Sequence, residues 1–359
     1  MNIVIFGLAV SSSWGNGHAS LWRGLIRGLL DDGHRVTFFE RDQSFYAGNR
    51  DLTELPAGGT LVLYPDWPAV LPRARATVAA ADLAMVTSYC PDALAAAALT
   101  QDARALSCFY DLDTPVTLAR LAAGDPVDYL GADGLRGYDL VLSYTGGGAL
   151  DALRTQLGAR RVVPIYGSVD PALHRPVPPR AERKAILSYL GTYAADRQAA
   201  LETLLVDPAR RRPSDRFVIG GAQYPPAFPW TDNIWFVRHL PPSEHPAFYC
   251  SSRMTLNVTR AAMAQMGFCP SGRLFEAAAC GTPILTDAWV GLDQFFTPGD
   301  EILVAHDTAD AMAALDLPDA TLAAIAKRAR DRTLTEHSAQ QRAREMVAAF
   351  EHARTEAVA

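Results

Sequence analysis

Short apolar runs alternate with amphipathic stretches along the first part of the chain. Residues 2–10 form an apolar run, and residues 18–32 place large apolar side chains on one helical stripe that ends before Gly33. Continuous apolar runs are typical of parallel strands that are buried on both faces. Further strands are predicted at 35–40, 60–64, 83–87, 105–110, 139–144 and 161–165, at the spacing of βαβ units.

The same rhythm begins again after a proline-rich passage. Residues 167–183 contain Pro171, Pro176, Pro178 and Pro179, which stop helices and stiffen the chain, so this passage is the predicted linker. Two Rossmann-like, doubly wound α/β domains are therefore predicted, at 1–168 and 169–334. The second is predicted to have strands at 185–190, 216–219, 233–237, 254–258 and 283–285, and helices at 194–205, 272–280 and from 320 onwards.

Composition narrows the range of functions. A chain of 359 residues suits two domains, and its net charge of −6 argues against a general nucleic-acid binder. The five cysteines include no CxxC pair, which indicates neither a zinc cluster nor a disulfide framework. The first residues lack a signal-peptide pattern, and no apolar run reaches the roughly 20 residues of a transmembrane helix. A cytoplasmic protein without a transmembrane segment is expected.

The loop after the first strand is the first candidate for chemistry. It reads SSSWGNGH, and Gly15, Asn16, Gly17 and His18 stand where the first helix begins. Glycines let a backbone approach a ligand closely, and a helix N-terminus offers free N–H groups. We expect these residues to face the acceptor, with His18 in acceptor positioning or base work. An ordinary β–α loop with Ser and Asn capping is the alternative.

Two carboxylates follow the strand at 105–110. Asp111 and Asp113 lie at a strand end, where ligands collect in open parallel sheets. Asp113 is a candidate to hold or deprotonate an acceptor hydroxyl, and Asp111 is assigned to the acceptor-side loop. The alternative is a plain helix start, in which Asp113 or Thr114 caps the helix and Pro115 occupies its first turn. No metal role is predicted for this pair.

The strongest candidate is the segment 270–287. Ser271 and Gly272 open a predicted helix whose free amides and positive dipole end suit a diphosphate. Arg273 adds a fork of donors that matches phosphate oxygens. Glu276 stands in an apolar stretch, where a carboxylate is costly to bury without a partner, and it suits ribose hydroxyls. A routine helix with a glycine C-cap is the alternative.

Two further features lie at strand ends of the second half. Gly191 and Thr192 follow its first strand, and Arg197 comes one turn later, which suits a phosphate contact or an ordinary β–α turn. His239 lies beyond a strand and is expected to border a base pocket. The remaining histidines show no metal-ligand spacing and are taken as structural or surface residues; they are His34, His174, His245, His306, His337 and His352.

Several segments together resemble one family. The passage SGRLFEAAACGTPILTDAWVGLDQFFTPGDEILV (271–304) resembles the C-terminal signature of the CgeB-like, or spore-maturation-protein-like, glycosyltransferases, a branch of the GT-B transferases. The segments SSSWGNGHA, YDLDTP, YLGTYAADRQ and EHSAQQRA look like the same branch. YGSVDPALHRP (166–176) is similar to the G-V-D-x-x-x-F-x-P passage of retaining GT-B enzymes, and NIWFVRHLPPSEHPAFYCSS resembles another of their segments.

The resemblance implies a fold, an activity and residue roles. It implies two Rossmann-like domains facing across a cleft, with a C-terminal helix (335–359) that braces the first. Glu276 matches the ribose-binding Glu, the Ser271–Arg273 helix start matches the diphosphate contact, and Gly191 and Thr192 match the donor-domain glycine turn. Where many retaining members carry a further Glu, eight residues before the ribose Glu, this chain has Phe268.

The expected activity is transfer of a sugar from a nucleoside diphosphate sugar to an unidentified acceptor. Fixed donors at the diphosphate stabilise the leaving group without a metal, so no metal and no cofactor beyond the donor substrate is predicted. The alternatives are another twin-Rossmann enzyme, such as an epimerase or a phosphorylase-like protein, and a non-catalytic nucleotide-sugar sensor. Glu40 ends the second strand, as the ribose-binding acid of a dehydrogenase would. A dehydrogenase is nevertheless disfavoured, because the glycine fingerprint of the dinucleotide-binding loop is missing.

Overall fold

A computed structural model describes residues 1–14 and 17–358, without the side chains of 357 and 358. Gly15 and Asn16 lie outside the described residues, so their predicted place in the acceptor-side loop is not tested. The chain divides into two compact units. Unit 1 comprises Met1–Tyr166 and the chain from Ala339 onwards, and unit 2 comprises Gly167–Ser338.

Unit 1 contains a seven-stranded sheet in which every neighbouring pair is parallel. Its order is β3-β2-β1-β4-β5-β6-β7. The chain therefore runs outward from β1 to one edge and then from β4 to the other, which is the doubly wound arrangement. The strands are β1 (Asn2–Gly7), β2 (Arg35–Arg41), β3 (Gly59–Tyr64), β4 (Leu83–Thr87), β5 (Leu106–Asp111), β6 (Leu140–Ser143) and β7 (Val162–Pro164).

Helices of unit 1 connect these strands and supply the apolar faces that the sheet buries. The predicted stripe on the first helix is real, because Leu21, Trp22, Leu25 and Leu29 are buried in the core of this unit. Gly33 ends that helix with a φ of +82°, a conformation that glycine adopts freely. The helices are α1 (Gly17–Asp31), α2 (Ser44–Ala47), α3 (Trp67–Ala79), α4 (Ala93–Gln101), α5 (Thr114–Ala123), α6 (Gly148–Leu157) and, from the end of the chain, α14 (Ala339–Val358).

The last helix belongs to the core of the first domain. Ala343, Met346 and Phe350 of α14 are buried among side chains of α1 and of the sheet. At Gly28 of α1, a Cβ atom would lie 2.9 Å from the Cβ of Ala343, so the two helices approach closely because this position has no side chain. Both ends of the chain thus build one core.

Unit 2 contains a six-stranded parallel sheet with the order β10-β9-β8-β11-β12-β13. Its strands are β8 (Leu187–Leu190), β9 (Phe217–Gly221), β10 (Ile234–Arg238), β11 (Thr255–Asn257), β12 (Ile284–Thr286) and β13 (Leu303–Val304). Its α-helices are α7 (Gln198–Leu201), α8 (Asp207–Arg211), α9 (His245–Cys250), α10 (Ala261–Met266), α11 (Gly272–Ala279), α12 (Thr308–Leu315) and α13 (Asp319–Glu336). Short 3₁₀ turns occur at Ala181–Arg183, Ala195–Arg197, Pro242–Glu244 and Leu292–Gln294.

The helix predicted at 194–205 has a different form and end. A 3₁₀ turn and α7 lead into a π-helical turn (Glu202–Val206), and α8 continues to Arg211. Pro208 explains the change, because it has no N–H to offer the carbonyl of Leu204. The N–H of Asp207 bonds instead to the carbonyl of Glu202, five residues back, which widens the turn.

The helical tail predicted from residue 320 is two helices rather than one. α13 ends at Glu336 and α14 begins at Ala339. Between them, the buried His337 stacks 4.7 Å from the ring of Phe275, and its carbonyl accepts the N–H of Val169. These contacts hold His337 in unit 2 and end the helix there. Among residues 1–14 and 17–358, no helix combines the length and the apolar character needed to span a bilayer.

The packing of α14 predicts an asymmetric effect of two adjacent substitutions. Phe350→Ala removes a fully buried ring and should lower the free energy of unfolding by about 3–5 kcal/mol. Glu351→Ala, at the exposed neighbouring position, should change it by less than about 0.5 kcal/mol. Urea denaturation followed by circular dichroism measures both. Equal losses in the two variants would contradict the buried face of α14.

Candidate functional site

Strand order locates the candidate site within each unit. In open parallel sheets, ligands collect beyond the carboxyl ends of the strands, where the order reverses. In unit 1 that point lies between β1 and β4, and in unit 2 between β8 and β11. Residues 191–197 follow β8 and the start of α11 follows β11 along the chain, so the predicted donor residues come from the elements beside this switch point.

Arg273 is held in a fixed position at the start of α11. One guanidinium nitrogen, Nη1, donates to Asn257 Oδ1 at 3.1 Å, and the guanidinium carbon lies 5.3 Å from the centre of the Tyr189 ring. Burial acts to lower the pKa of Arg273, but Tyr189, Tyr249 and Glu276 outweigh it and the pKa is raised. Arg273 therefore stays cationic at neutral pH.

Arg197 lies close enough to Arg273 for the two charges to repel. Burial, and then the charge of Arg273, lower the pKa of Arg197 to about 10. Its Nη1 donates to the carbonyl of Thr192, but Nε is buried and has no hydrogen-bond partner among the described residues. The buried hydroxyl of Tyr189 also lacks a partner in that part of the chain. Unused donors and two guanidinium groups in one place favour an anion.

The first residues of α11 leave space for that anion. Ser271 occupies the N-cap, but its side chain makes no capping hydrogen bond with the described residues. At Gly272 a Cβ atom would meet no described atom within 4 Å. The Leu274 N–H donates to the Ser271 carbonyl, which leaves the amides of Gly272 and Arg273 for a ligand. Helix N-termini bind anions through such N–H groups and the helix dipole.

Glu276, one turn further along α11, contacts three side chains. Its Oε2 lies 3.2 Å from the Tyr249 hydroxyl, 3.4 Å from His245 Nδ1 and 3.9 Å from His174 Nε2. Burial opposes ionisation, but His174, His245 and the Tyr249 hydroxyl outweigh it and hold the pKa of Glu276 at about 2. Burial lowers the pKa of His174 below its usual value. The Glu276 carboxylate is therefore ionised at neutral pH, with 15 % of its side chain exposed.

The glycine turn after β8 is packed against the next strand. A Cβ at Gly221 would lie 2.1 Å from the Gly191 carbonyl oxygen, so the two backbones come together only because Gly221 has no side chain. Thr192 is exposed beside this turn. His239 has a φ of +49°, and its N–H donates to the Gly221 carbonyl at 2.8 Å. A base pocket beside His239 stays a prediction.

In unit 1, two candidates for acceptor chemistry meet. His18 Nε2 lies 3.6 Å from Asp113 Oδ2, which also accepts a hydrogen bond from the Tyr89 hydroxyl at 3.0 Å. Asp113 does occupy the N-cap position of α5, but its carboxylate makes no capping bond with the described residues and is directed to His18 and Tyr89 instead. Tyr89 has a φ of +65°, a conformation that is uncommon for a non-glycine residue. Gly17 is exposed at the start of α1.

Asp111 has a different environment from the one expected. Its side chain is completely buried, and Oδ1 accepts the Asp113 N–H and the Thr117 hydroxyl, each at 3.1 Å. Burial raises its pKa to about 6. Through these hydrogen bonds Asp111 supports the loop that carries Asp113, and its place on the acceptor side stays a prediction.

Two other residues singled out in the sequence are also structural. Glu40 is fully buried and accepts hydrogen bonds from the N–H groups of Val10 and Ser11. Its carboxylate is therefore engaged inside unit 1, whereas in a dehydrogenase it would bind ribose. Phe268, which replaces the glutamate of many retaining enzymes, has a φ of +48°. Its ring covers Gly291, where a Cβ would lie 2.4 Å from it.

Several residues around Arg273 and Glu276 were not predicted from the sequence. Tyr189 and Asn257 were read as parts of buried strands, and His174 and His245 as structural or surface residues. Their positions beside Arg273 and Glu276 depend on strand order, which single-chain patterns do not reveal. One sequence feature could have indicated them: Tyr189 and Asn257 are polar side chains near the carboxyl ends of mainly apolar runs.

The environment of Asp111 predicts a pH dependence of stability. Because its folded-state pKa of about 6 exceeds its ordinary value of 3.8, protonation stabilises the folded state. This contribution is complete below about pH 4 and is lost as the pH rises through about 6. The difference in unfolding free energy between wild type and Asp111→Asn, measured by urea denaturation at several pH values, should fall across this window. A difference that stays flat across this window would contradict the buried carboxylate.

One family model matches part of the chain. Residues 197–348 match a family described as glycosyl transferase-like, and the match begins at Arg197 and includes α11. No curated protein sequence matches the chain.

Solved structures with the same arrangement cover nearly all of the chain. Sucrose-phosphate synthase from Thermosynechococcus elongatus is 17% identical with a TM-score of 0.69, covering 99% of this chain and 100% of its own. HepE of Anabaena, solved with UDP-glucose, is 13% identical with a TM-score of 0.68, covering 98% and 100%. An α-glucosyltransferase solved with UDP is 12% identical with a TM-score of 0.69, covering 98% and 100%.

The two kinds of comparison support different conclusions. At such low identity, the structural matches show the fold, and they confirm the predicted GT-B arrangement of two Rossmann-like units. The family match confirms the predicted enzyme class for the segment that carries α11. The chain thus has the GT-B fold, and its residues 197–348 match a glycosyl transferase-like family.

Proposed function

We propose that this chain transfers a sugar from a nucleoside diphosphate sugar to an acceptor, and that unit 2 binds the donor. The observation that carries the proposal is the pair Arg197 and Arg273. Neither residue forms an ion pair within the described ranges, although both are half-buried. Buried charges are costly unless a partner neutralises them, and a diphosphate supplies the missing negative charge.

The same groups suit the leaving group of glycosyl transfer. As the bond between sugar and diphosphate breaks, negative charge grows on the diphosphate oxygens. Arg273, Arg197 and the amides at Ser271 and Gly272 are donors already fixed in place, so they stabilise that charge without reorganisation. We therefore propose metal-independent transfer, with Gly191 and Thr192 beside the same diphosphate.

We propose that Glu276 binds the ribose of the donor. An ionised carboxylate accepts hydrogen bonds from neighbouring hydroxyls, and the low pKa of Glu276 keeps it in that form. Two structural neighbours were solved with UDP-glucose and with UDP, which makes a uridine donor the first to test. The segments described above also favour the CgeB-like branch of the GT-B transferases.

We propose that His18 and Asp113 serve the acceptor. A histidine beside a carboxylate can take the proton of an attacking hydroxyl, while the carboxylate orients the ring and stabilises its charged form. The hydrogen bond from Tyr89 fixes the Asp113 carboxylate, and about a fifth of each side chain of the His18–Asp113 pair is exposed. These features support a base that an acceptor reaches from solvent.

The donor proposal predicts a selective loss of UDP affinity. Arg273→Gln should weaken UDP binding about 10- to 100-fold, because a charge-assisted hydrogen bond contributes roughly 1.5–3 kcal/mol. Arg210→Gln, which removes an exposed guanidinium paired with Asp207, should leave it unchanged. Calorimetry with UDP, GDP and dTDP on both variants provides the measurement. Equal affinity of Arg273→Gln and wild type for every nucleotide would remove α11 from the donor site.

The acceptor proposal predicts loss of turnover with retained donor binding. His18→Ala and Asp113→Asn should lower kcat about 10²- to 10⁴-fold, as expected when a general base is lost, with UDP affinity unchanged. Release of UDP from UDP-glucose in the presence of an acceptor library, with EDTA throughout, provides the assay. Unchanged kcat in both variants would exclude this base, and a wild type that binds UDP yet never turns over would indicate a sensor.

A further inference from the structure

Three potential metal ligands meet in unit 2. One nitrogen each of His174 and His245 and one oxygen of Glu276 all lie within 4.8 Å of one another. They come from separate parts of the chain: His174 from the passage before β8, His245 from the first turn of α9, and Glu276 from α11. Two imidazoles and one carboxylate are a ligand set that zinc uses in proteins, with a fourth position left to water.

The separations are close to those of a bound ion. Zinc holds nitrogen and oxygen at roughly 2.0–2.2 Å in a tetrahedron, which places its ligand atoms about 3.4 Å apart. His245 Nδ1 and Glu276 Oε2 are already 3.4 Å apart, and His174 Nε2 is 3.9 Å from the same oxygen. Small side-chain rotations would complete the site, since the rings of His174 and His245 are 5.9 Å apart between their centres.

The hydrogen bonding of His245 points to a cation. Its Nε2 lies 3.2 Å from the Leu240 carbonyl oxygen, which accepts but cannot donate, so Nε2 carries a hydrogen. This leaves Nδ1, 3.4 Å from the Glu276 carboxylate, as the ring nitrogen that can bind an ion. Metal-binding histidines usually donate their other N–H to a carbonyl or carboxylate in this way.

His174 supplies an independent indication. Its side chain is 3 % exposed, and neither ring nitrogen forms a hydrogen bond with a residue of the described ranges. A buried imidazole with both nitrogens unused is costly, and such groups in native proteins call for an explanation such as an ion. Glu276 and His245 remain partly exposed, at 15 % and 16 %, so an ion can enter from that side.

We propose that His174, His245 and Glu276 form a zinc site. Imidazole nitrogen favours zinc over magnesium and calcium, which prefer all-oxygen ligand sets. On the proposed function, Glu276 also binds the donor ribose, so zinc and the nucleotide compete for one carboxylate. Zinc is then an inhibitor that blocks donor binding, and transfer itself requires no metal.

Cobalt titration tests the site without reference to nucleotide. Tag-free, chelator-treated wild type should develop one equivalent of a visible Co²⁺ absorption band, which Zn²⁺ displaces and Mg²⁺ does not. His174→Phe should weaken metal binding at least about 100-fold. Phenylalanine is chosen because the similar G-V-D-x-x-x-F-x-P passage carries it at this position, so the variant should fold. His306→Ala, at an exposed histidine of the same unit, should bind the metal like wild type.

Absence of the cobalt band in wild type, or an equal band in His174→Phe and His306→Ala, would overturn the zinc site. His245→Asn provides a second variant that should also lose the metal. UDP calorimetry on the same samples separates the two proposals. If His174→Phe loses the metal but still binds UDP, the zinc site and the donor site are both supported. If wild type binds the metal but not UDP, the zinc site stands and the proposed donor function is wrong. Zinc that leaves UDP affinity unchanged would refute the competition.

Discussion

A positive charge withdrawn from water is the constraint on which the site depends. Arg273 is held by Asn257 and by the ring of Tyr189. Burial, and then repulsion from Arg273, lower the pKa of Arg197. Two neighbouring guanidinium groups without an anion reduce the stability of the folded state. Burial of apolar side chains in unit 2 offsets the cost of these charges. On the proposed function, the diphosphate of the donor neutralises them.

The switch point of the sheet determines which side chains can share that anion. β8 and β11 are neighbours in space although about 65 residues separate them, so residues after both strands converge. Arg273 is the second residue of α11, so its side chain starts from the same turn as the free amides of the helix. Glu276 follows on the next turn, where a helix of 3.6 residues per turn brings its carboxylate to the same side as Arg273.

Much of the fold was accessible from local pattern. The apolar runs predicted every strand of unit 1 to within a few residues, because strands buried on both faces must be apolar throughout. The helix that carries Ser271–Glu276 was predictable because helix-start chemistry is local. The convergence of His174, His245 and Glu276 was not, since it depends on tertiary packing. The π turn before Pro208 and the break at His337 follow from one missing donor and from buried ring contacts, which outweigh helical propensity.

The closely packed pair α1 and α14 has a consequence for biosynthesis. The ribosome makes α1 early, then all of unit 2, and only afterwards the helix that covers α1. Until that point the first unit exposes the apolar stripe that Met346 and Phe350 later bury. Unit 2, by contrast, is continuous in sequence and can fold as it emerges. The nascent chain should therefore carry a folded second unit beside an incomplete first one, which is the stage at which a chaperone would have a surface to recognise.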